Sequence, residues 1–313
     1  VFQGCCTGNS FVKNPDNTVT DVPYRVTITV TNAVKATDVT KTTRTILISI
    51  LPLRSGIAGV FAGPVERHAV INRSLGGRFD MTVTLAGAFS GSLTMGGDAS
   101  RKFVGAFNLN LDDNGILLGA PTATVSLVGT KTAPPVTISF TLGIVDAAVL
   151  GEPPVTTLQA ATITYQAHSV GFSAWRNNFA KVAVAGVSMP PTAFEGLYNI
   201  GFVLPDGASS LITNADVPQG AGYATFTVSS TGTYSLVGRT ADGEKLTGSY
   251  WVGPTGQLFL YQAFYTTVPK GSLLGNIQID AGTDPEDNDV SGNLDWVRPP
   301  NVKSRLYKLG FGL

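Results

Sequence analysis

The feature that most constrains this chain is that its 313 residues spell one β unit twice. Gly77-Arg-Phe79-Asp-Met81-Thr-Val83-Thr-Leu85-Ala-Gly87-Ala-Phe89-Ser90 returns as Gly222-Tyr-Ala224-Thr-Phe226-Thr-Val228-Ser-Ser230-Thr-Gly232-Thr-Tyr234-Ser235. Both copies alternate apolar and polar residues, turn at a glycine, and open a second strand on an aromatic residue followed by serine. Alternation with period two marks strands with one buried face, and self-similarity at a fixed interval marks a repeated supersecondary unit. The match runs upstream, Gly59-Val-Phe61-Ala-Gly63 against Gly196-Leu-Tyr198-Asn-Ile-Gly201. It also runs downstream, Lys102-Phe103-Val-Gly105 against Lys245-Leu246-Thr-Gly248. Each copy closes near a Trp and an Arg, Trp175-Arg176 in the first and Trp296-Val-Arg298 in the second.

Each copy divides into roughly eight strands at about 8–12-residue spacing, the pattern of a sandwich or an up-and-down barrel. Short turns such as Ala241-Asp242-Gly243-Glu244, and glycines inside strands at Gly91, Gly105, Gly238 and Gly248, favour tight coiling. The expected fold is therefore all-β, with tandem antiparallel β-barrels (β-sandwiches as the alternative) preceded by a partial Ig-like β segment. The expected organisation is residues 1–54 for that segment and its linker, 55–182 for the first β-barrel repeat, 183–192 for a linker around Pro190-Pro191, and 193–313 for the second repeat. Two separate cores are expected, so that a cut near Pro190 leaves both halves folded.

Charge narrows the function. Lys+Arg and Asp+Glu balance at 21 each and only 13% of residues are charged, so no net field recruits nucleic acid or an acidic surface. No segment reaches the ~18 apolar residues of a membrane helix. The chain does not begin with Met, and its first residues read as the inside of a domain, so a fragment or processed form of a longer protein is expected. Cys5 and Cys6 are the only cysteines; a bridge between such neighbours is strained.

Pro23-Tyr24-Arg-Val-Thr-Ile-Thr-Val-Thr-Asn32-Ala33 resembles the closing hairpin of bacterial putative-Ig and cadherin-like modules. Val1 to Val22 lack the Gly-x-Pro turn pattern of that family, which makes the segment the tail of one module. Residues 55–180 and 193–313 resemble the β-rich repeats that follow such modules in large secreted or surface proteins of Verrucomicrobia-like bacteria. The resemblance rests on Gly59-Val-Phe61-Ala-Gly63, Leu75-Gly-Gly-Arg78, Ala88-Phe89-Ser90-Gly91 and Trp175-Arg176, and on Gly196-Leu-Tyr198, Asp242-Gly243, Leu294-Asp-Trp296 and Gly310-Phe311. It implies an extracellular or cell-surface location, with other copies of the chain or neighbouring modules as partners.

Few residues offer chemistry. The two histidines, His68 and His168, lie a hundred residues apart at non-equivalent repeat positions and read as surface or loop residues. No Gly-x-Ser-x-Gly elbow is present. A glycan-active hydrolase needs two facing carboxylates, and no spacing selects a pair. The dense acidic stretch, with Asp284, Glu286, Asp287 and Asp289, is the candidate site for Ca²⁺, which takes six to eight oxygens, although its spacing is not that of an EF-hand and a solvated loop between two strands is the favoured reading. Trp251, Phe259, Tyr261 and Tyr265 are the candidate ligand-binding group: outward they would stack on sugars, inward they would fill the core. The expected function is a non-enzymatic extracellular structural or adhesive module, with strand edges that permit self-assembly into a filament. A carbohydrate-binding barrel is the alternative, with glycans as partners, and the hydrolase is the second alternative.

Overall fold

The computed structural model describes residues 12–13, 19–20, 24–33, 39–48, 58–108, 119–145, 155–179, 193–204, 217–265, 270–303 and 306–312. Cys5, Cys6 and the expected linker at 183–192 lie outside them. The described residues are almost entirely β. The chain divides into two compact units, Val1–Leu53 and Arg54–Leu313. In the first, β1 (Val12–Lys13) pairs with β2 (Val19–Thr20). β3 (Tyr24–Ala33) and β4 (Val39–Ile48) form an antiparallel hairpin with Tyr24 opposite Ile48 and Ala33 opposite Val39.

The second unit holds both repeats. The first comprises β5 (Gly59–Val65), α1 (Ala69–Asn72), β6 (Gly77–Val83), β7 (Ala88–Met95), β8 (Arg101–Ala106), β9 (Thr122–Leu127), β10 (Val136–Val145), β11 (Val155–Tyr165), β12 (His168–Gly171) and β13 (Ala174–Arg176). Its strands form one antiparallel sheet in the order β8-β7-β6-β5-β13-β11-β10-β9, with β12 paired to β11. The two ends of this path meet where Asn108 N–H donates to the Thr122 carbonyl at 2.7 Å and Thr122 N–H returns to Asn108 O at 3.2 Å. The sheet is thus a nearly closed barrel, which removes the free edges an open sheet would expose.

Inside it the alternation read from the sequence becomes packing. Phe79, Met81 and Val83 of β6 are buried while Thr82 between them is exposed. Phe79, Phe89, Phe103, Phe107, Phe140 and Phe172 fill the barrel, with neighbouring ring centroids 4.6–6.5 Å apart. The strand glycines make room for these rings. A Cβ at Gly105 would stand 2.5 Å from Phe89 Cζ, and one at Gly91 would stand 2.3 Å from Phe103 Cζ.

The second repeat comprises β14 (Gly196–Phe202), β15 (Gly222–Val228), β16 (Thr233–Arg239), β17 (Lys245–Trp251), β18 (Gln257–Phe264), β19 (Gly271–Asp280), β20 (Asp289–Arg298) and β21 (Phe311–Gly312). These form two four-stranded antiparallel sheets, β14-β15-β16-β17 and β18-β19-β20-β21. The register of the repeated hairpin is shared: Gly59 faces Val83 and Val83 faces Phe89, as Gly196 faces Val228 and Val228 faces Tyr234. The turns are shared too. Gly87 N–H donates to Thr84 O at 3.0 Å and Thr84 N–H to Ala88 O at 2.8 Å. Gly232 and Ser229 repeat this, and so do Gly243 with Thr240 and Gly256 with Gly253. Each turn ends on a glycine with φ between 71° and 93°, the three-residue hairpin loop that needs a left-handed residue.

The repeats differ at one margin. In the first, β13 lies on β5, with Trp175 opposite Ala62 and Arg176 opposite Phe61. In the second, the corresponding β14 and β20 are not paired. At the other margin Gln262 of β18 bridges to β17. Its amide accepts from Thr247 N–H and donates to Lys245 O, both at 2.9 Å, which replaces one rung of a ladder.

The repeats are joined where residues of the first enter the core of the second. Tyr198, Phe226, Tyr234, Tyr250 and Phe259 make successive ring contacts at 4.7–5.8 Å, and Phe259 meets Trp175 of the first repeat at 5.6 Å. The Arg78 guanidinium of β6 lies 4.3 Å over the Tyr250 ring. Arg67 donates to Ser272 Oγ at 2.7 Å and to Asp295 O at 2.6 Å, and Lys270 Nζ donates to Gly97 O. Ala62, Trp175 and Phe179 of the first repeat thus belong to the hydrophobic cluster of the second, and Arg54–Leu313 is one compact unit, while the phenylalanines of the first barrel keep an interior of their own.

Candidate functional site

Three of the four aromatic candidates serve the fold. Phe259 is 0% exposed and wedged between Trp175 and Tyr250. Tyr261 is buried where the repeats meet, its hydroxyl accepts from Gly97 N–H at 3.3 Å, and burial raises its phenol pKa. Tyr265 donates to Asp242 Oδ2 at 2.8 Å, the same oxygen that Arg298 reaches at 2.9 Å. Burial, and then this bond to a carboxylate, push the Tyr265 phenol far up. The bond network ties the β16–β17 turn to β20. Tyr234 and Tyr250 are held likewise, donating to Phe259 O at 2.5 Å and Tyr261 O at 2.9 Å.

The acidic candidates do not converge. Asp284, Glu286, Asp287 and Asp289 are all exposed around a single 3-10 turn, Pro285–Asp287, with Asp287 N–H donating to Asp284 O at 3.0 Å. Among the described residues, no three His, Cys, Asp or Glu side chains are placed to hold a metal ion. The histidines, distant in sequence, do meet, with ring centroids 5.3 Å apart. His68 Nδ1 accepts from Val70 N–H at 3.1 Å and Ile71 N–H at 3.2 Å, which caps α1. This use matches helix-capping chemistry and keeps that nitrogen as an acceptor.

Trp251, the fourth aromatic candidate, stands apart. It is half-buried at the end of β17 and forms one wall of a groove of about 340 Å³ over the outer face of the first repeat. The register sets the floor in two rows across β6, β7 and β8: Asp80 opposite Ser92 opposite Lys102, and Thr82 opposite Ser90 opposite Val104. Cross-strand neighbours on one face are ~5 Å apart, so the first row presents a short line of polar groups and the second two hydroxyls ending on the exposed, apolar Val104. Asp80 Oδ1 takes bonds from Arg78 Nε at 2.8 Å and Nη2 at 2.5 Å. Arg78 itself packs on Tyr250, the residue before Trp251. The ion pair thus fixes Asp80 relative to the strand that carries the indole. The Trp251 Nε1 donor is shielded from solvent and has no acceptor among the described residues.

Sequence reasoning found Trp251 but did not join it to Asp80, Ser92 or Lys102, because the groove forms only when the repeats dock. A larger cavity of about 510 Å³ lies between the unpaired margins of β14 and β20, lined by Phe202, Leu204, Thr240, Leu273, Asp295 and Trp296 among others. No helix among the described residues is long and apolar enough to cross a membrane.

Comparison with family models, with curated proteins and with solved structures finds no match to this chain.

Proposed function

We propose that the chain is a non-enzymatic structural or adhesive module of a larger bacterial surface or matrix protein, working outside the cell and joined to neighbouring modules or further copies of itself. The observation that carries this reading is the run of aromatic contacts from Tyr198 to Trp175, which welds two copies of one unit into a single body. Its buried polar groups are spent on fastening. Arg176, 1% exposed, donates to Ala58 O at 2.7 Å and Asn178 Oδ1 at 3.1 Å, and its burial lowers the guanidinium pKa. Arg67, Tyr234, Tyr250 and Tyr261 bind backbone groups in the same way. A body so cross-linked transmits force and holds a fixed distance between the segments at its ends.

The test is to stretch the chain between handles attached at Arg54 and Leu313 in an optical trap. The reading predicts that both repeats release in one step. Release in two well-separated steps contradicts it, and so does steady turnover by the pure chain in a screen of glycoside and ester hydrolysis.

A further inference from the structure

We infer that the groove under Trp251 is a binding site for a neutral oligosaccharide. A pyranose ring has an apolar C–H face and a rim of hydroxyls that both donate and accept. The groove supplies the complement to each. The indole of Trp251 offers a flat apolar wall, and aromatic rings bury large area in a fixed geometry. Asp80 offers an acceptor, since Arg78 takes only its Oδ1. Lys102 is exposed one rung beyond Ser92 and offers donors. Ser92, Ser90 and Thr82 carry hydroxyls that serve in either sense.

Asp80, paired with Arg78, and Lys102 end one row, so the floor offers both an acceptor and a donor, as the hydroxyls of a sugar require. A pocket with one apolar wall and a few convergent polar groups, fixed before the ligand arrives, is the usual form of a small-molecule site. Arg78 provides that fixing, by binding Asp80 while stacking on Tyr250. This site goes beyond the structural role, because fusing the repeats requires none of these outward-facing side chains except Arg78 and its ion-pair partner.

The experiment uses the whole chain, labelled with ¹⁵N-tryptophan, whose three indole signals are separable because the chain has three Trp. Cellohexaose, laminarihexaose, chitohexaose, xylohexaose and mannohexaose are titrated in turn. At least one shifts the Trp251 signal saturably, with the affinity of a single shallow site, Kd about 10⁻⁵ to 10⁻³ M. The buried indoles of Trp175 and Trp296 move little. Trp251→Ala weakens binding about tenfold or more, or 1.4 kcal/mol, and Trp251→Phe recovers part of it. Lys102→Met, which removes an exposed group with no ion pair among the described residues, weakens binding without changing the melting temperature. The site is refuted when none of the five sugars shifts Trp251 at about 10 mM. It is also refuted when binding survives Trp251→Ala unchanged, or when only peptides or anionic polymers shift the signal. None of these outcomes bears on the single-step release under force, so the two readings fail separately.

Discussion

At the residue scale, the side chains that looked most able to bind something are mostly those that hold the molecule together. Aromatic residues clustered in sequence at Tyr250, Trp251, Phe259, Tyr261 and Tyr265 were legible as a group, but their direction was not. Period two says which residues share a face, and only tertiary docking says whether that face meets water or another sheet. Phe259 and Trp251 show the two outcomes, one in the core and one on a groove wall.

The buried phenols have a measurable consequence. Burial raises the pKa of Tyr234, Tyr250, Tyr261 and Tyr265 above the ordinary 10.0. The folded state then keeps protons that the unfolded chain sheds above that value, so the unfolded state binds fewer protons and stability falls as pH rises. Their contribution is fully present below the unfolded pKa and is lost progressively above it. A spectrophotometric titration of phenolate absorbance should show four of the nine tyrosines ionising only together with unfolding. Smooth titration of all nine in the folded protein would count against the burial of these rings.

At the scale of elements, strands and turns were the most legible part. Thr84-Leu85-Ala86-Gly87 and Ser229-Ser230-Thr231-Gly232 announced the same hairpin, and both form the same bonds around a left-handed glycine. The all-β architecture followed from the same alternation. What the sequence could not reveal is how each repeat closes, since closure depends on pairing between strands far apart in the chain. The first repeat closes through β5 with β13, whereas β14 and β20 stay unpaired.

Gln262 is the clearest case of a closure with no sequence signature: one exposed-edge amide joins β17 to β18. Gln262→Leu removes two hydrogen bonds, each worth about 0.5–1.5 kcal/mol net. Because the site is near solvent, a total loss of about 1–2 kcal/mol is expected in urea unfolding. Gln262→Glu keeps the acceptor for Thr247 N–H and loses the donor to Lys245 O, so it should fall between wild type and Leu. Equal stability of all three would show that the bridge contributes nothing.

At the scale of the whole molecule, the central claim is that two copies of one unit are locked together by side chains of the first packed into the core of the second, and behave as one body. The aromatic chain from Tyr198 to Trp175, the Arg78 guanidinium on Tyr250 and the Arg67 bonds to Ser272 and Asp295 all cross from one repeat to the other. Trp175 and Phe179 of the first repeat are buried in the cluster of the second, so pulling the repeats apart uncovers large apolar rings, and burial of such side chains contributes about 1.5–3 kcal/mol each. Native-state hydrogen exchange over a denaturant series tests this most directly. Amides of β6, such as Phe79 and Met81, and of β15, such as Phe226 and Val228, should converge on one opening free energy with one denaturant dependence. Two separate isotherms, with one repeat opening while the other stays protected, would contradict it.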